Sequence, residues 1–154
     1  MRMAIQGVGI TGGFGQGVES LNTALISGNV KTQIGQVEHR SEIVSFPAYL
    51  ANIDGLDEFV PKRAQRRIDH CSRMTLLTAF LALKDAEMLE TERSRMGVII
   101  ASGYGPLKTT FDFLDSYLDF GYACSSPTHF SNSVHNAAAA HVSMQLKATA
   151  PSLT

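Results

Sequence analysis

The stretch DHCSRMTLLTAFLALKDAEML, residues 69–89, decides the fold class. At 3.6 residues per turn Met74, Leu77 and Leu81 share one stripe, while Leu76, Phe80 and Leu83 share another. The pattern predicts a helix of about six turns, apolar around most of its girth until Lys84 and Asp85. Asp69 or Ser72 supplies the side-chain oxygen that caps its free amides. A helix with so little polar face belongs between layers, not on a surface.

Downstream, RMGVIIAS at 95–102 reads as a buried strand, closed by the turn Gly103-Tyr104-Gly105-Pro106. Leu107 to Phe120 is amphipathic. Ser133 to Leu146 carries four alanines between His135 and His141, a composition that favours helix and close packing. Ala148 to Pro151 break it, and Ser152 to Thr154 read as the start of an unfinished strand. Upstream, Met3 to Ile10 is an apolar run with no polar face, predicting a strand buried on both sides. A Gly-rich loop follows at 11–17. Val18 to Ser27 has helical spacing and stops at Gly28-Asn29. Residues 30–62, interrupted by Gly35, Pro47, Gly55 and Pro61, read as an irregular excursion over the surface. The order predicts one α/β layered unit across residues 1–154.

At 154 residues with 44% hydrophobic side chains, the chain can bury one sizeable core. Thirteen Lys and Arg against fourteen Asp and Glu leave a formal charge of −1, which argues against nucleic acid and anionic membrane as partners. Cys71 and Cys124 suggest neither a disulfide framework nor a zinc site, so a reducing cytoplasm is expected. The N-terminus lacks the pattern of a signal peptide, and no window approaches the roughly 20 apolar residues of a membrane span.

Several residues invite a functional reading. Gly7-Val8-Gly9-Ile10-Thr11-Gly12 fits the G-x-G-x-x-G pattern of nucleotide sites, but that reading needs a helix opening at the third glycine and an acidic residue closing a second strand. Gly13, Gly15 and Gly17 delay the helix, so the glycines read as turn formers. His129, His135 and His141 lack metal-ligand spacing and read as locally hydrogen-bonded histidines, with no metal. Cys71 sits near a helix N-terminus, where a thiol can be activated, yet the apolar helix behind it predicts a buried, inert one. Cys124 receives no role.

Four blocks together resemble the β-ketoacyl synthases of fatty acid and polyketide synthesis: IQGVGITGGFG at 5–15, RRIDHCSRMTLLTAFLALKDAEM at 66–88, RMGVIIASGYGPL at 95–107 and SPTHFSNSVHNAAAAHVSMQLKATAPSLT at 126–154. The Ser133-Val134-His135-Asn136-Ala137 core is similar to a divergent bacterial branch associated with aryl polyene-type pathways. Ala140, where a Gly often precedes the motif histidine, and Gly12-Gly13, in place of a more usual Ser-Pro, depart from the common pattern.

The resemblance implies the N-terminal half of a thiolase-like fold, with a mixed sheet and a buried helix. It implies part of an enzyme that elongates acyl chains by decarboxylative Claisen condensation, without a cofactor. The nucleophilic cysteine and the two active-site histidines are expected beyond Thr154, so no catalytic residue is assigned within the chain and no condensation is expected from these residues alone. Tyr104 falls at the variable position of the family's Gly-x-Gly turn and is the one candidate substrate-binding residue, bordering the acyl tunnel. The implied partners are acyl carrier protein and a second subunit, in a homodimer or a ketosynthase-like heterodimer. A non-catalytic, chain-length-factor-like subunit is the alternative, and a nucleotide-binding module a further one. The apolar helix at 69–89, without an opposing half to cover it, predicts marginal stability and self-association.

Overall fold

The computed structural model describes residues 2–39 and 42–154. Its centre is α3 (His70–Asp85), which starts where the sequence places the cap. The Asp69 carboxylate accepts from the Ser72 amide at 3.0 Å and from the Ser72 hydroxyl at 2.5 Å, satisfying one orphan amide at the helix start. The helix ends four residues before Leu89. Glu87 takes a left-handed φ of +55°, and the Met88 amide turns back to the Leu83 carbonyl at 2.7 Å, a reversal that stops the helix and tucks Met88 against the core.

Leu76, Leu77, Phe80 and Leu83 of α3 are all buried, each contributing on the order of 2 kcal/mol of burial. They meet α6 (Ala137–Leu146), whose Ala139, Val142 and Leu146 complete the core with Val98 and Ala148. The alanines let the two helices approach closely. Below them a 3-10 turn at Leu56–Glu58 inserts Leu56 and Val60, and the Phe59 ring stacks on Phe80 with centroids 5.0 Å apart. A short α2 (Lys62–Gln65) leads into α3.

The helix expected over 133–146 begins later, at Ala137, and a separate helix that the sequence did not suggest precedes it. α5 (Pro127–Ser133) begins with Pro127 behind the Ser126 cap and ends because Val134 is extended, at φ −76° and ψ 146°. α6 follows after Asn136. α4 (Leu107–Phe120) has the expected bounds and packs on α5, with Phe113 against Phe130 at 5.5 Å.

The sheet content differs from the expectation. β1 (Thr11–Gly12) pairs antiparallel with β2 (Gly15–Gln16), and β3 (Gln33–His39) with β4 (Glu42–Ala48). β5 (Val98–Ile99) pairs parallel with β6 (Ser152–Leu153). The β3–β4 hairpin lies in the stretch expected to be irregular. Pro47, opposite Ile34, is tolerated because each strand of a two-stranded ladder is an edge. Of the strand expected over 95–102, only Val98 and Ile99 join a ladder.

Residues 3–10, expected as a buried strand, belong to no ladder among the described residues, and Met3 and Ile5 are exposed. The run instead lies along α3. A Cβ on Gly7 would fall 2.7 Å from the Ala86 amide nitrogen, and one on Gly9 2.6 Å from that of Ala82. The Val8 amide donates to the Asp85 carboxylate at 2.8 Å. α1 (Gly17–Ser27) then begins one residue earlier than expected and closes at Gly28 in the left-handed region.

The uncovered apolar surface is not where the sequence put it. The large side chains of α3 are covered by α6, the Leu56 turn and Val98. Exposed large apolar residues gather on α4, on the β3–β4 hairpin and on residues 3–8.

Candidate functional site

The turn after β5 carries Tyr104, and its geometry comes from three local features. The Gly105 amide donates to the Ser102 hydroxyl at 2.8 Å, Gly105 adopts φ +59°, and the Leu107 amide returns to the Gly105 carbonyl at 2.9 Å. A side chain at Gly105 would meet the His135 ring at 3.5 Å, so the turn packs on the α5–α6 junction. Pro106 is buried beneath it. Tyr104 itself is 77% exposed, its ring projecting from the turn.

Beside the junction lies a buried polar cluster joining segments far apart in sequence. The Asn132 side-chain amide donates to the Arg67 carbonyl at 2.7 Å, and the His141 ring nitrogen Nε2 lies 2.8 Å from the Asn132 side-chain oxygen. Because that oxygen only accepts, His141 carries its proton on Nε2. Asp69, Ser72 and Asn132 are all buried. Burial pushes the His141 pKa below its ordinary value, partly opposed by the Asp69 carboxylate. The cluster ties the segment entering α3 to the end of α5 and the middle of α6.

The three histidines serve three places. His141 anchors this cluster, His135 backs Gly105, and His129 sits in the first turn of α5 with its amide on the Ser126 hydroxyl. Among the described residues no group of three His, Cys, Asp or Glu side chains is placed to share a metal ion. Cys71 is half-buried, and burial together with the nearby Asp69 carboxylate raises its thiol pKa, the opposite of activation. The Cys124 side chain lies outside the described residues.

The G-x-G-x-x-G glycines do a different job from the one expected. Gly7 and Gly9 have ordinary negative φ and are small because α3 passes against them; positive φ appears later, at Gly15 and Gly17. α1 opens only at Gly17, whose amide is taken by the Ile10 carbonyl at 2.8 Å. Sequence reasoning missed Asn132. Its only signal was its spacing of nine from His141, too far for neighbours on one continuous helix, and the break at Val134 is what brings them together.

A family model described as the β-ketoacyl synthase N-terminal domain matches residues 1–154. Among curated proteins, the chain is 26% identical to the chloroplastic 3-oxoacyl-[acyl-carrier-protein] synthase I of Hordeum vulgare over 145 residues, covering 88% of this chain and 31% of that protein. It is 27% identical to 3-oxoacyl-[acyl-carrier-protein] synthase 2 of Staphylococcus aureus over 154 residues, 98% of this chain and 37% of that protein. It is 26% identical over 118 residues to the polyketide biosynthesis malonyl-ACP decarboxylase PksF of Bacillus subtilis, 76% of this chain and 28% of that protein. The chain thus spans about a third of the length of these relatives. In fold it is similar to a β-ketoacyl synthase from Burkholderia phymatum, with TM-score 0.66 and 16% identity over 97% of this chain and 38% of that one. The ishigamide ketosynthase/chain length factor gives TM-score 0.68 and 15% identity, over 97% and 39%. The architecture is therefore the layered α/β arrangement of these synthases, with α3 as its buried helix.

Proposed function

Because the chain belongs to the β-ketoacyl synthase family, we propose that residues 1–154 are the scaffold portion of an acyl-carrier-protein-dependent synthase. The observation that carries this reading is the family match along the whole chain. The reaction is decarboxylative Claisen condensation in fatty acid or polyketide-type synthesis. A cysteine thiolate takes an acyl group from a carrier-protein thioester and releases the carrier thiol, malonyl-carrier protein loses CO2, and the resulting carbanion attacks the acyl-cysteine carbonyl, expelling the cysteine thiolate and leaving 3-ketoacyl-carrier protein. Oxyanion stabilisation comes from preorganised donors. The nucleophile and its histidines lie beyond Thr154 in this reading, so residues 1–154 alone do not condense.

The role of this portion is to shape the acyl pocket. Tyr104 forms part of the pocket wall, and its ring shortens or reshapes the space for the chain. The Ser102–Pro106 turn supports that role through its Gly105–Ser102 hydrogen bond and the left-handed backbone of Gly105, which define the conformation that carries the ring. Acyl carrier protein is the partner that delivers substrate, the assembly is a homodimer or a ketosynthase-like heterodimer, and the compartment is the cytoplasm. No helix among the described residues is long and apolar enough to cross a membrane.

The test is condensation by the intact protein from its source cells, supplied with acyl- and malonyl-carrier protein, compared with its Tyr104→Gly variant. The expected result is malonyl-dependent elongation with a product profile moved to longer chains in the variant. An unchanged profile removes Tyr104 from the pocket wall. A protein that neither accepts an acyl group nor alters the products of a separate ketosynthase overturns the whole reading. Activity seen only on mixing with such a ketosynthase supports the alternative, a non-catalytic subunit comparable to the chain length factor named for one structural neighbour.

A further inference from the structure

The turn that carries Tyr104 is open on one side and backed on the other. A side chain added at Gly103 would meet nothing within 4 Å, whereas one at Gly105 would meet the ring carbon Cδ2 of His135 at 3.5 Å and its Cα at 3.7 Å. Both are ordinary contact distances. The Gly105 backbone can therefore settle back by no more than the width of a methyl group before it meets His135.

His135 is itself held in place. It follows Val134 in a turn closed by the Ala137 amide on the Val134 carbonyl at 3.0 Å, between the end of α5 and the start of α6. Just before it, the Asn132 side chain is tied to the Arg67 carbonyl and the His141 ring. Thr110 of α4 clasps this junction to the Tyr104 turn. Its hydroxyl lies 3.3 Å from the Pro106 carbonyl and 3.1 Å from the Ser133 carbonyl, so one proton is shared between the last residue of the turn and the junction. A load on the Tyr104 ring passes to the backbone on either side of it. Gly103 has nothing behind it, and Gly105 has His135.

We infer that His135 is a positioning residue for the pocket wall: its ring is the backstop that fixes how far the Ser102–Pro106 turn, and Tyr104 with it, yields to a growing acyl chain. The size of the ring does this and not its charge, because the approach to Gly105 is through carbon atoms. The inference deepens the role of Tyr104 proposed above and rests on it for the link to chain length. The backing of the turn is read without any condensation assay, so the two can fail separately.

Hydrogen exchange of the intact protein, followed by mass on peptides spanning 100–107, reads the backing directly. The Gly105 and Leu107 amides, held by the Ser102 hydroxyl and the Gly105 carbonyl, should exchange about fivefold faster in His135→Ala. His135→Phe, which keeps a ring, should exchange as wild type. Unchanged exchange in His135→Ala overturns the inference, and so does a rise shared equally by the peptides of α3, which means general loosening. Product profiles with acyl- and malonyl-carrier protein then read the link to the pocket. His135→Ala should move the products to longer chains by one elongation step, His135→Phe should not, and adding His135→Ala to Tyr104→Gly should move them no further. A shift that adds in full to that of Tyr104→Gly overturns the inference, as does an unmoved His135→Ala profile where Tyr104→Gly moves. Profiles unmoved in both variants overturn the pocket role of Tyr104 and that of His135 with it.

Discussion

Gly9 is where a single methyl group should cost most for its size. An added Cβ lies 2.6 Å from the Ala82 amide nitrogen and closer still to the Thr78 carbonyl oxygen, both backbone atoms of α3 that no rotamer change can move. Ordinary contact begins at 3.4 Å, so the 3–10 run and α3 must part by about 0.8 Å or more along their shared length. Overpacking of this kind costs about 1–3 kcal/mol. The separation also lengthens the solvent-exposed bond from the Val8 amide to the Asp85 carboxylate, which adds at most about 1 kcal/mol. Gly9→Ala should therefore lose about 2–4 kcal/mol, a fall in Tm on the order of 5–10 °C for a chain of this size. Gly103→Ala, where an added Cβ meets nothing within 4 Å, is the control and should stay within about 0.5 kcal/mol. Urea unfolding of the three proteins measures both. A Gly9→Ala variant within 1 kcal/mol of wild type, or no different from Gly103→Ala, would refute the reasoning that α3 fixes this glycine.

Two further outcomes follow from the polar cluster at the start of α3. Burial lowers the folded pKa of His141 below its ordinary 6.5, so the unfolded chain takes up its proton first as pH falls. Stability is whole above about pH 6.5 and declines below it; the urea midpoint should drop between about pH 7.5 and about pH 5.5, and less so in His141→Gln, where an equal drop rejects the assignment. The Cys71 thiol, raised by burial and then by Asp69, should be alkylated by iodoacetamide more slowly in the native protein than in urea at neutral pH, followed by peptide mass. Native labelling as fast as unfolded would restore the activated-thiol reading.

What could be read from sequence depended on how local its cause was. The start of α3 was legible because Asp69 and Ser72 sit three apart and cap one turn, and α4 because its apolar spacing is local. Residues 3–10 were misread because apolarity signals close packing but not its partner. The partner is a helix some seventy residues away, and Gly7 and Gly9 mark its approach rather than a turn. The β3–β4 hairpin was hidden by Gly35 and Pro47, which read as breaks although an edge strand accommodates both; the Phe46 ring in fact lies over Gly35. For the site, the turn around Tyr104 was visible in Gly103-Tyr104-Gly105-Pro106. The Asn132–His141 bond was not, because it exists only once α5 breaks at Val134 and the Arg67 carbonyl arrives from across the fold.

The packing of α6 on α3 also sets a timetable for synthesis. α3 ends at Asp85 and α6 begins at Ala137, so at about 5–20 residues per second the ribosome leaves the apolar stripes of α3 waiting roughly 3–10 s for the alanines that cover them. The β5–β6 ladder closes later still, since Val98 pairs with Ser152. During that interval Leu76, Leu77 and Phe80 are the surface a nascent-chain chaperone meets, and a slower passage through residues 86–136 would lengthen the encounter without altering a single contact of the finished fold.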